Sequence, residues 1–546
     1  HLSGSLAGGV TSSDFVGDTP TAMEHRLTLS GGGDGFTYSL GGSYDHFGEV
    51  VFQSDWQQAG AHGRAVLTQG SLNLALTAAF SRRVIGAGNF PAFVALGAPS
   101  LSAPRNEDYY LGNQLVGATL TYTPSPRWQH VVTVGFNGID LNVNNYAPRN
   151  IFPGDTLRNA SLETDDQLTL RYVTSATATL GSSVTATTTG GIDLSRRTRN
   201  YYQGDGLDDP QVGSSAQSDY IEAYRVTDNA GFFAQQVLGF GDRLFFTAGI
   251  RAEDNSNVGS EEGLIWAPRA GVAYTFDLGN DLALKPRVSY GKSIRPPQPG
   301  LAGSSQDPFF IQRANPNLRP EVQLGVDAGF DLDYRQGTLT LEATYFDQDA
   351  KDLIGLVYLS DLSADPLVTQ YQNVGRVNNK GVELAAGVNV GLLSLRGSYS
   401  TVKSRIESLA QGYSGEQVPG DEMLFVARHS GGGTAGLRFT PLFASQGGRS
   451  ARFELGLTYI GGRRTLDLLG LFRCLNGLDP CRGGLRAYQT NLSPFTKWRL
   501  GLSHPVSRAV EAFLNVENLT DEQVGEFVTV APSRGRTVLV GIRFGQ

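Results

Sequence analysis

The sequence is poor in several features that would place a protein in a familiar class. Its 546 residues include only 18% charged residues and no basic run, so it offers no electrostatic footprint for a nucleic-acid partner. No stretch reaches the roughly 18 to 20 apolar residues that a membrane-spanning helix needs. Nucleic-acid-binding proteins and helical membrane proteins are therefore excluded.

Cysteine is also scarce, and its two copies, Cys474 and Cys481, lie close together in RCLNGLDPCR. The Gly, Pro and Asp residues between them indicate a compact loop that a disulfide would close, and a disulfide implies an oxidising compartment. A zinc pair is the alternative interpretation, although no histidine or further cysteine lies nearby in the sequence.

Glycine, threonine, valine and the aromatics are abundant instead, and apolar and polar residues alternate along many segments. In LGVDAGFDLD (324–333) the even positions are apolar and the odd positions are Gly or Asp. Because a strand turns successive side chains to opposite faces, each such segment has one apolar face. The last segment, GRTVLVGIRF, places Arg543 on one face and four apolar residues on the other, namely Val538, Val540, Ile542 and Phe544.

The connections between the predicted strands alternate between short turns, such as TPSPR (123–127), and long polar loops. This spacing predicts an all-β chain of about 22 strands, each of about ten residues, with both termini on the short-turn side. It is typical of a transmembrane antiparallel β-barrel with short periplasmic turns and long extracellular loops, here covering residues 1–546. The predicted loops lie at about 82–113, 141–165, 196–227, 293–322, 347–380, 405–430 and 461–492.

A soluble propeller or tandem sandwich would also alternate apolar and polar residues. However, no repeat of about 40 to 50 residues appears, and aromatics such as Tyr122 and Trp128 flank a short turn, as an interfacial girdle requires. A sheet in hydrocarbon must close on itself, so we expect the last strand to pair with the first, within LSGSLAGGV (2–10). The apolar face of the last strand would then meet lipid, and Arg543 the lumen.

Several segments resemble the barrel domain of TonB-dependent outer-membrane receptors. NPNLRPE (315–321) and YQNVGRVNNKGVELAAGVNV (371–390) are similar to two strand-leading segments of that family. VENLTDEQ (516–523) and the last strand are similar to its C-terminal pair, and residues 229–256 resemble the SusC/RagA-like subgroup. We expect these motif residues to shape the backbone rather than to touch a ligand.

The resemblance implies a plug domain inside the barrel, yet the strand pattern here begins almost at residue 1. We therefore expect the plug to have been cut away, omitted, or supplied as another chain, and a leader to have preceded His1. The further partners implied are outer-membrane lipid and lipopolysaccharide, a TonB-type energy-coupling protein acting through the plug, and a surface lipoprotein in the SusC-like case. The implied location is the bacterial outer membrane.

The residue patterns of an enzyme are missing. The seven histidines lack metal-ligand spacing, and no Gly-x-Ser-x-Gly elbow occurs with a suitable histidine. The YGKS segment (290–293) lacks the first glycine and the helix of a phosphate loop. Asp205, Asp208 and Asp209 offer oxygen ligands, but not at the spacing of an EF-hand calcium loop. We predict no enzymatic activity, no cofactor and no metal site.

Two predicted loops carry the arginine and aromatic side chains that recognition sites favour. The segment 195–210 contributes Arg196, Arg197, Tyr201 and Tyr202. The segment 307–316 contributes Phe309, Phe310 and Arg313. These residues are candidate ligand contacts, and the alternative is that they pack loop against loop.

The resemblance implies the barrel domain of a receptor for active uptake of a scarce nutrient, such as a siderophore, vitamin, glycan or peptide. A passive outer-membrane channel is one alternative, and it would show a large steady conductance. A SusC-like barrel acting with a surface lipoprotein lid is another, and its lid would copurify in stoichiometric amount.

Overall fold

The alternating segments fold into strands that wind into a closed cylinder. In the structure given below, a few residues at the ends of strands, Phe310 among them, are described by their backbone alone. The computed structural model describes residues 1–13, 19–49, 55–86, 107–145, 159–205, 220–259, 263–279, 281–298, 300–306, 310–360, 366–410, 413, 417–440, 450–475, 479–524 and 533–545.

Within this part of the chain the cylinder has 22 antiparallel strands, each paired with its neighbours in sequence, where β12 and β13 form one interrupted strand. This confirms the predicted fold class and strand number. The wall consists of β1 (Leu2–Thr11), β2 (Thr21–Gly33), β3 (Phe36–Phe47), β4 (Trp56–Gln69), β5 (Leu72–Gly86), β6 (Glu107–Ser125), β7 (Trp128–Asn145), β8 (Asn159–Leu180), β9 (Val184–Asp205), β10 (Tyr220–Phe240), β11 (Leu244–Asn255), β12 (Ile265–Tyr274), β13 (Phe276–Asp277), β14 (Leu282–Arg295), β17 (Glu321–Tyr334), β18 (Leu339–Tyr358), β19 (Leu367–Val390), β20 (Leu393–Leu409), β21 (His429–Phe439), β22 (Ala451–Ile460), β25 (Phe495–Pro505), β26 (Val510–Glu517) and β27 (Thr537–Phe544).

The first and last strands close the cylinder, as the sequence predicts. β1 pairs antiparallel with β27 in one unbroken register, in which Leu6 lies opposite Ile542. On the outside Val540 is 60% exposed and Ile542 is 44% exposed. Arg543 faces inward, where its guanidinium lies 2.7 Å from the carboxylate of Glu511. Closure pairs the backbone groups that would otherwise form two free sheet edges.

The outward side chains of the wall change from apolar to charged at a constant distance from the short turns. On β7 the outward side chains are apolar from Val132 through Phe136, with His130 and Trp128 nearer the short turn, and the first charged carboxylate is Asp140. On β9 the change falls between Leu194 and Arg196. A tilted run of about ten residues matches the roughly 25 Å apolar band of outer-membrane barrels. We call this apolar-to-charged transition the outer boundary.

Many wall strands are longer than the ten or so residues that the sequence predicts, reaching 24 residues in β19, whereas β1 and β22 have ten residues and β26 and β27 have eight. The extra length lies beyond the outer boundary. Most of the predicted loop 196–227 is sheet, because β9 continues to Asp205 and β10 begins at Tyr220. The polar composition suggested a loop there, but a strand that has left the lipid can carry polar residues on both faces.

Short elements fold over the long-loop end of the barrel. A two-stranded hairpin and a helix lie between β22 and β25, and two short strands lie between β14 and β17. No helix among the described residues is both long and apolar enough to cross a membrane. The elements are β15 (Ser305–Gln306), β16 (Phe310–Arg313), β23 (Arg463–Leu466), α1 (Leu468–Leu475), a 3₁₀ turn (Leu485–Tyr488) and β24 (Gln489–Leu492).

A disulfide joins Cys474 to Cys481 beside the end of α1. The prediction of a disulfide-closed loop is therefore confirmed over the alternative of a zinc pair. The bond closes a loop of the long-loop end.

Candidate substrate-binding wall at the long-loop end

The motifs at 315–321 and 371–390 contact each other and hold the long-loop end together. The side-chain amide of Asn373 accepts a hydrogen bond from the Arg319 N–H at 2.9 Å and donates one to the Arg319 carbonyl at 2.9 Å. The Glu321 carboxylate accepts one from the backbone N–H of Ile354 at 2.8 Å. These side chains are bonded to the backbone of neighbouring strands. They therefore fix the path of the chain, as the sequence leads us to expect.

Ion pairs line the inner face of β8 and β9 beyond the outer boundary. The Arg197 guanidinium makes two hydrogen bonds to Asp165, the Nε–Oδ1 bond measuring 2.6 Å. Arg199 Nε lies 2.7 Å from Glu163 Oε1. Asp165 is only 8% exposed, so the bidentate hydrogen bonds from Arg197 compensate for the loss of water around its negative charge. The pairs leave little net charge on this part of the wall.

Strand alternation separates the four arginine and tyrosine residues that the sequence places on one loop. They lie on β9, where Arg197 and Tyr201 share the inner face and Arg196 and Tyr202 share the outer face. Arg196 Nε donates to Asp228 Oδ1 at 2.7 Å on the outside of the barrel. Only two of the four residues therefore face the lumen, because neighbours on a strand point in opposite directions.

Residues 300–306 and 310–315, which we call the strap, cross part of the mouth. β16 pairs in parallel with the start of β19, which places Arg313 opposite Gln370. At its other end the strap lies against β10. The backbone of Gly303 is so close to the Arg225 side chain that a Cβ atom placed on this glycine would lie 2.5 Å from Arg225 Nη2. Gln312 Nε2 donates to the Gly303 carbonyl at 2.8 Å. The strap thus connects two separate parts of the wall.

The strap also carries the second group of sequence-predicted contacts. Phe309 lies outside the described residues, and of Phe310 only the backbone is described. Arg313 is exposed, and within the described part of the chain it has no ion-pair partner. The structure therefore brings Arg313 to the mouth of the lumen, on the opposite side of the strap from β10.

The inner face of β3–β7 beyond the outer boundary is apolar, unlike the rest of the inner wall nearby. The pairing register places these side chains in adjoining rows on one face, while Asp140 and Asn142 point outward. We call this surface the inner apolar patch. It comprises Phe47, Trp56, Ile85, Tyr109, Leu111, Ile139, Leu141 and Val143.

Two arginines cover the aromatic end of the inner apolar patch. The rings of Phe47 and Trp56 stack with centroids 4.9 Å apart. The Arg534 guanidinium lies 4.1 Å from the Phe47 centroid, and that of Arg83 lies 5.0 Å from the Trp56 centroid. Arg534 Nε is buried without a hydrogen-bond partner among the described residues. Phe47 is buried beneath Arg534, so the arrangement offers the half-buried ring of Trp56 as flat apolar surface, with positive charge beside it.

Two neighbouring loops of the mouth are tied by Asp421. Its carboxylate makes two hydrogen bonds to Arg486, one of them 3.1 Å long, and lies 3.8 Å from Arg464. The backbone N–H of Phe425 donates to the Arg464 carbonyl at 2.8 Å. The hydrogen bonds from Arg486 lower the pKa of Asp421. The two loops are therefore held together by charge, whereas the disulfide closes only the loop that carries Arg486.

Residues 55–519 match the family described as TonB dependent receptor-like, beta-barrel. The chain belongs to this family. Receptors of this family lie in the bacterial outer membrane, and this receptor barrel does too. The family and the structural neighbours are receptors and transporters rather than enzymes.

Individual relatives resemble only part of the receptor barrel in sequence. A stretch of 101 residues is 39% identical to Heme/hemopexin utilization protein C of Haemophilus influenzae (strain 86-028NP), covering 17% of this chain and 14% of that protein. The match thus spans about a seventh of the relative's length.

Solved structures resemble the receptor barrel over nearly its whole length. The RagAB peptide importer in its closed-closed state has a TM-score of 0.73 at 13% identity and covers 96% of this chain and 76% of its own. The siderophore receptor PirA from Acinetobacter baumannii has a TM-score of 0.71 at 12% identity, covering 100% and 80%. At such identities the likeness shows the fold alone.

Sequence reasoning missed the inner apolar patch and its two arginines. A signal for the patch is present in β7, where the apolar side chains, apart from Val131, stand at even positions up to Phe136 and at odd positions from Ile139 onward. The register of β7 with β6 and β8 is unbroken across this point. The apolar face therefore passes from the outside of the receptor barrel to its lumen where the strand leaves the lipid.

Proposed function

We propose that this receptor barrel serves the active uptake of a scarce nutrient, and that the substrate is an anionic molecule with a flat apolar body, such as an iron porphyrin. One observation carries the proposal: the Phe47–Trp56 stack lies between the cations of Arg83 and Arg534 on the lumen wall. Aromatic faces favour flat apolar ligands, and arginine favours carboxylates.

The names of relatives support the same class of substrate. The curated relatives are named for heme and hemopexin utilization, and the structural neighbours include siderophore receptors and a peptide importer. A porphyrin with carboxylate groups matches the inner apolar patch and its arginines in chemistry. Siderophores and peptides are the competing substrates in the test below.

The path of the substrate begins at the mouth of the lumen. We assign first contact to the inward Arg197 and Tyr201 and to Arg313 of the strap, and tighter binding to the inner apolar patch. A 22-stranded barrel encloses a lumen that is plugged in known transporters. In this proposal residues 1–546 form the barrel domain, and a plug in cis or in trans fills it and receives the pull of a TonB-type coupling protein.

Growth on defined iron sources tests the proposal. The plug-bearing receptor, expressed in a receptor-null strain, should support growth on heme as the sole iron source. Deletion of the coupling protein should abolish that growth. Heme-independent growth on a ferric siderophore or a peptide, with no growth on heme, would reject the substrate class.

Planar-bilayer recordings separate uptake from passive permeation. A plug-bearing receptor should show no large steady conductance, whereas an open channel would show one and overturn active transport. A surface lipoprotein partner stays a prediction, and stoichiometric copurification of a lipoprotein is its test.

A further inference from the structure

The motif VENLTDEQ (516–523) begins at the end of β26 and lies beside the seam, where β1 pairs with β27. Asn518 and Asp521 have φ angles of 51° and 60°, in the left-handed region that asparagine and aspartate enter more readily than most residues. The backbone N–H of Leu519 donates to the Trp498 carbonyl on β25 at 2.7 Å. The motif is therefore a turn that is fixed to the wall.

The Asn518 side chain holds the segment 533–536, which leads into β27. Asn518 is 6% exposed. Its amide nitrogen donates to the carbonyl of Glu522 at 3.0 Å and to the carbonyl of Arg534 at 3.1 Å. Its amide oxygen accepts a hydrogen bond from the Glu522 N–H at 2.9 Å. Both N–H groups of the buried amide are therefore engaged, and one of them fixes the backbone of Arg534.

The Asp521 carboxylate fixes the other end of the same segment. Its Oδ1 atom accepts hydrogen bonds from the Arg536 N–H at 2.6 Å and from the hydroxyl of Ser12, which follows β1. The backbone N–H of Ser12 in turn donates to the Arg536 carbonyl at 2.8 Å. Gly535 fits between these groups because it lacks a side chain: a Cβ atom placed on it would lie 2.5 Å from Ser12 Oγ and 2.7 Å from Asp521 Oδ1. Arg534 therefore starts from a backbone that is held on both sides.

The Arg534 guanidinium has no ion-pair partner among the described residues. It lies 4.1 Å from the centre of the Phe47 ring, and its Nε atom is buried without a hydrogen-bond partner in that part of the chain. Burial lowers the pKa of Arg534, and the negative charge of Glu24 opposes this change only in part. A buried cation is costly unless an anion accompanies it. The surroundings of Arg534 are therefore suited to an anion that a ligand supplies.

We propose that Asn518 and Asp521 are positioning residues for substrate recognition: they hold Arg534 beside the inner apolar patch, where its guanidinium receives a carboxylate of the substrate. This assignment rests on the proposed function, which places a flat anionic molecule at Trp56. An arginine on a free loop loses conformational freedom when it binds, whereas an arginine that is held in advance loses less. The motif thus makes the site selective for a carboxylate over an uncharged ligand of the same shape.

Titration of the plug-bearing receptor with heme and with heme dimethyl ester tests the assignment. The ester has the same flat body as heme but lacks its carboxylates. We expect Asp521→Ala to weaken heme binding about tenfold and to leave binding of the ester within about twofold, because a charge-assisted hydrogen bond is lost. Arg534→Gln should show the same selective loss. The matched control is Asp333→Ala, which removes a carboxylate that holds the Gly337 N–H in a short turn and should leave both affinities unchanged.

A double-mutant cycle separates positioning from a general structural role. In the Arg534→Gln receptor, Asp521→Ala should cause no further loss of heme affinity, because no guanidinium is left to position. Asn518→Ala should behave like Asp521→Ala in both backgrounds. Asp521→Asn keeps an acceptor for the Arg536 N–H, so it should lose less heme affinity than Asp521→Ala, and it replaces that variant if Asp521→Ala does not fold.

Three results would overturn the assignment: unchanged heme affinity in Asp521→Ala, equal losses for heme and its ester, or a full further loss of heme affinity in the Arg534→Gln receptor. Failure of the wild type to bind either porphyrin would reject the proposed function instead. The rate at which phenylglyoxal modifies Arg534 then decides on positioning without a substrate. Modification should be faster in Asp521→Ala than in the wild type and unchanged in Asp333→Ala, and equal rates in Asp521→Ala and the wild type would contradict positioning.

Discussion

The arcs β5–β7 and β14–β20 are built alike within the lipid and differently beyond it. Below the outer boundary both point apolar residues outward, such as Val134 at 45% exposure and Val288 at 47%. Above it, β5–β7 turn their apolar residues into the lumen, whereas β14–β20 place lysines on the outside. The bilayer requires apolar residues on the outer face of the wall only within its own thickness. Beyond that point both faces are free to be specialised for binding.

The largest effect should come from charge placed in the shared part of the two arcs. We expect Val134→Arg and Val288→Arg each to destabilise the barrel by about 2–4 kcal/mol, because both residues face the middle of the apolar band. Reversible urea unfolding in lipid vesicles measures the free energy.

The same substitution above the outer boundary is the matched control. Asn142 points outward on β7, eight residues beyond Val134, and Asn142→Arg should change the free energy of unfolding by less than about 0.5 kcal/mol. If Asn142→Arg cost as much as Val134→Arg, the lipid would reach higher than the outer boundary and the contrast between the arcs would disappear.

The next effect concerns the lumen faces of the two arcs. Trp56→Ala in the plug-bearing receptor should weaken heme binding by about 2 kcal/mol, or about thirtyfold, because the ring supplies flat surface in the inner apolar patch. Phe346→Ala is the matched control, since Phe346 is an aromatic on the lumen face of β18. Equal losses in both variants, measured by heme titration, would remove the assignment of the patch.

The barrel itself could be predicted from the sequence because lipid imposes a simple rule. Alternation in segments such as 324–333 and 537–544 places apolar residues outside, and the register confirms each of these faces. Closure between β1 and β27 followed from the need to pair every backbone group. The disulfide was predictable from two cysteines with turn residues between them.

The region beyond the outer boundary could not be predicted in the same way. Polar residues in 196–227 look like a loop, although most of them extend the sheet. The contact of Arg534 with Phe47 joins residues far apart in sequence, and no local pattern indicates it. The strap likewise depends on a parallel pairing of β16 with β19 that skips two wall strands. Such contacts are tertiary, so periodicity does not reveal them.

A smaller, pH-dependent effect should come from the two ordered loops that Asp421 ties together after β20 and β22. Arg486 holds the pKa of Asp421 below its ordinary value, so the folded loop pair favours the charged form. The resulting stabilisation is complete above the ordinary carboxyl pKa and is lost as the pH falls through the lowered pKa. The protection factors for hydrogen exchange at 417–426, which correct for the slower intrinsic exchange in acid, should therefore fall as the pH is lowered.

The Asp421→Asn variant checks the origin of that change. It should exchange faster than wild type at neutral pH and show no further fall in protection of this kind on acidification. An identical acid profile in Asp421→Asn and wild type would show that another group governs the loops.

The smallest effect should follow loss of an outward cation beyond the outer boundary. Arg196 faces away from the lumen and pairs with Asp228 in an exposed site, so Arg196→Ala should change heme binding by less than about twofold. The charge-conserving Arg197→Lys variant, one residue along β9, alters the inner face and breaks the two-pronged contact with Asp165. It should weaken heme binding more than Arg196→Ala does. The reverse order, in titrations of both variants, would mean that substrate meets the outside of the sheet, and the division of the wall into a lipid-facing and a substrate-facing side would not hold above the membrane.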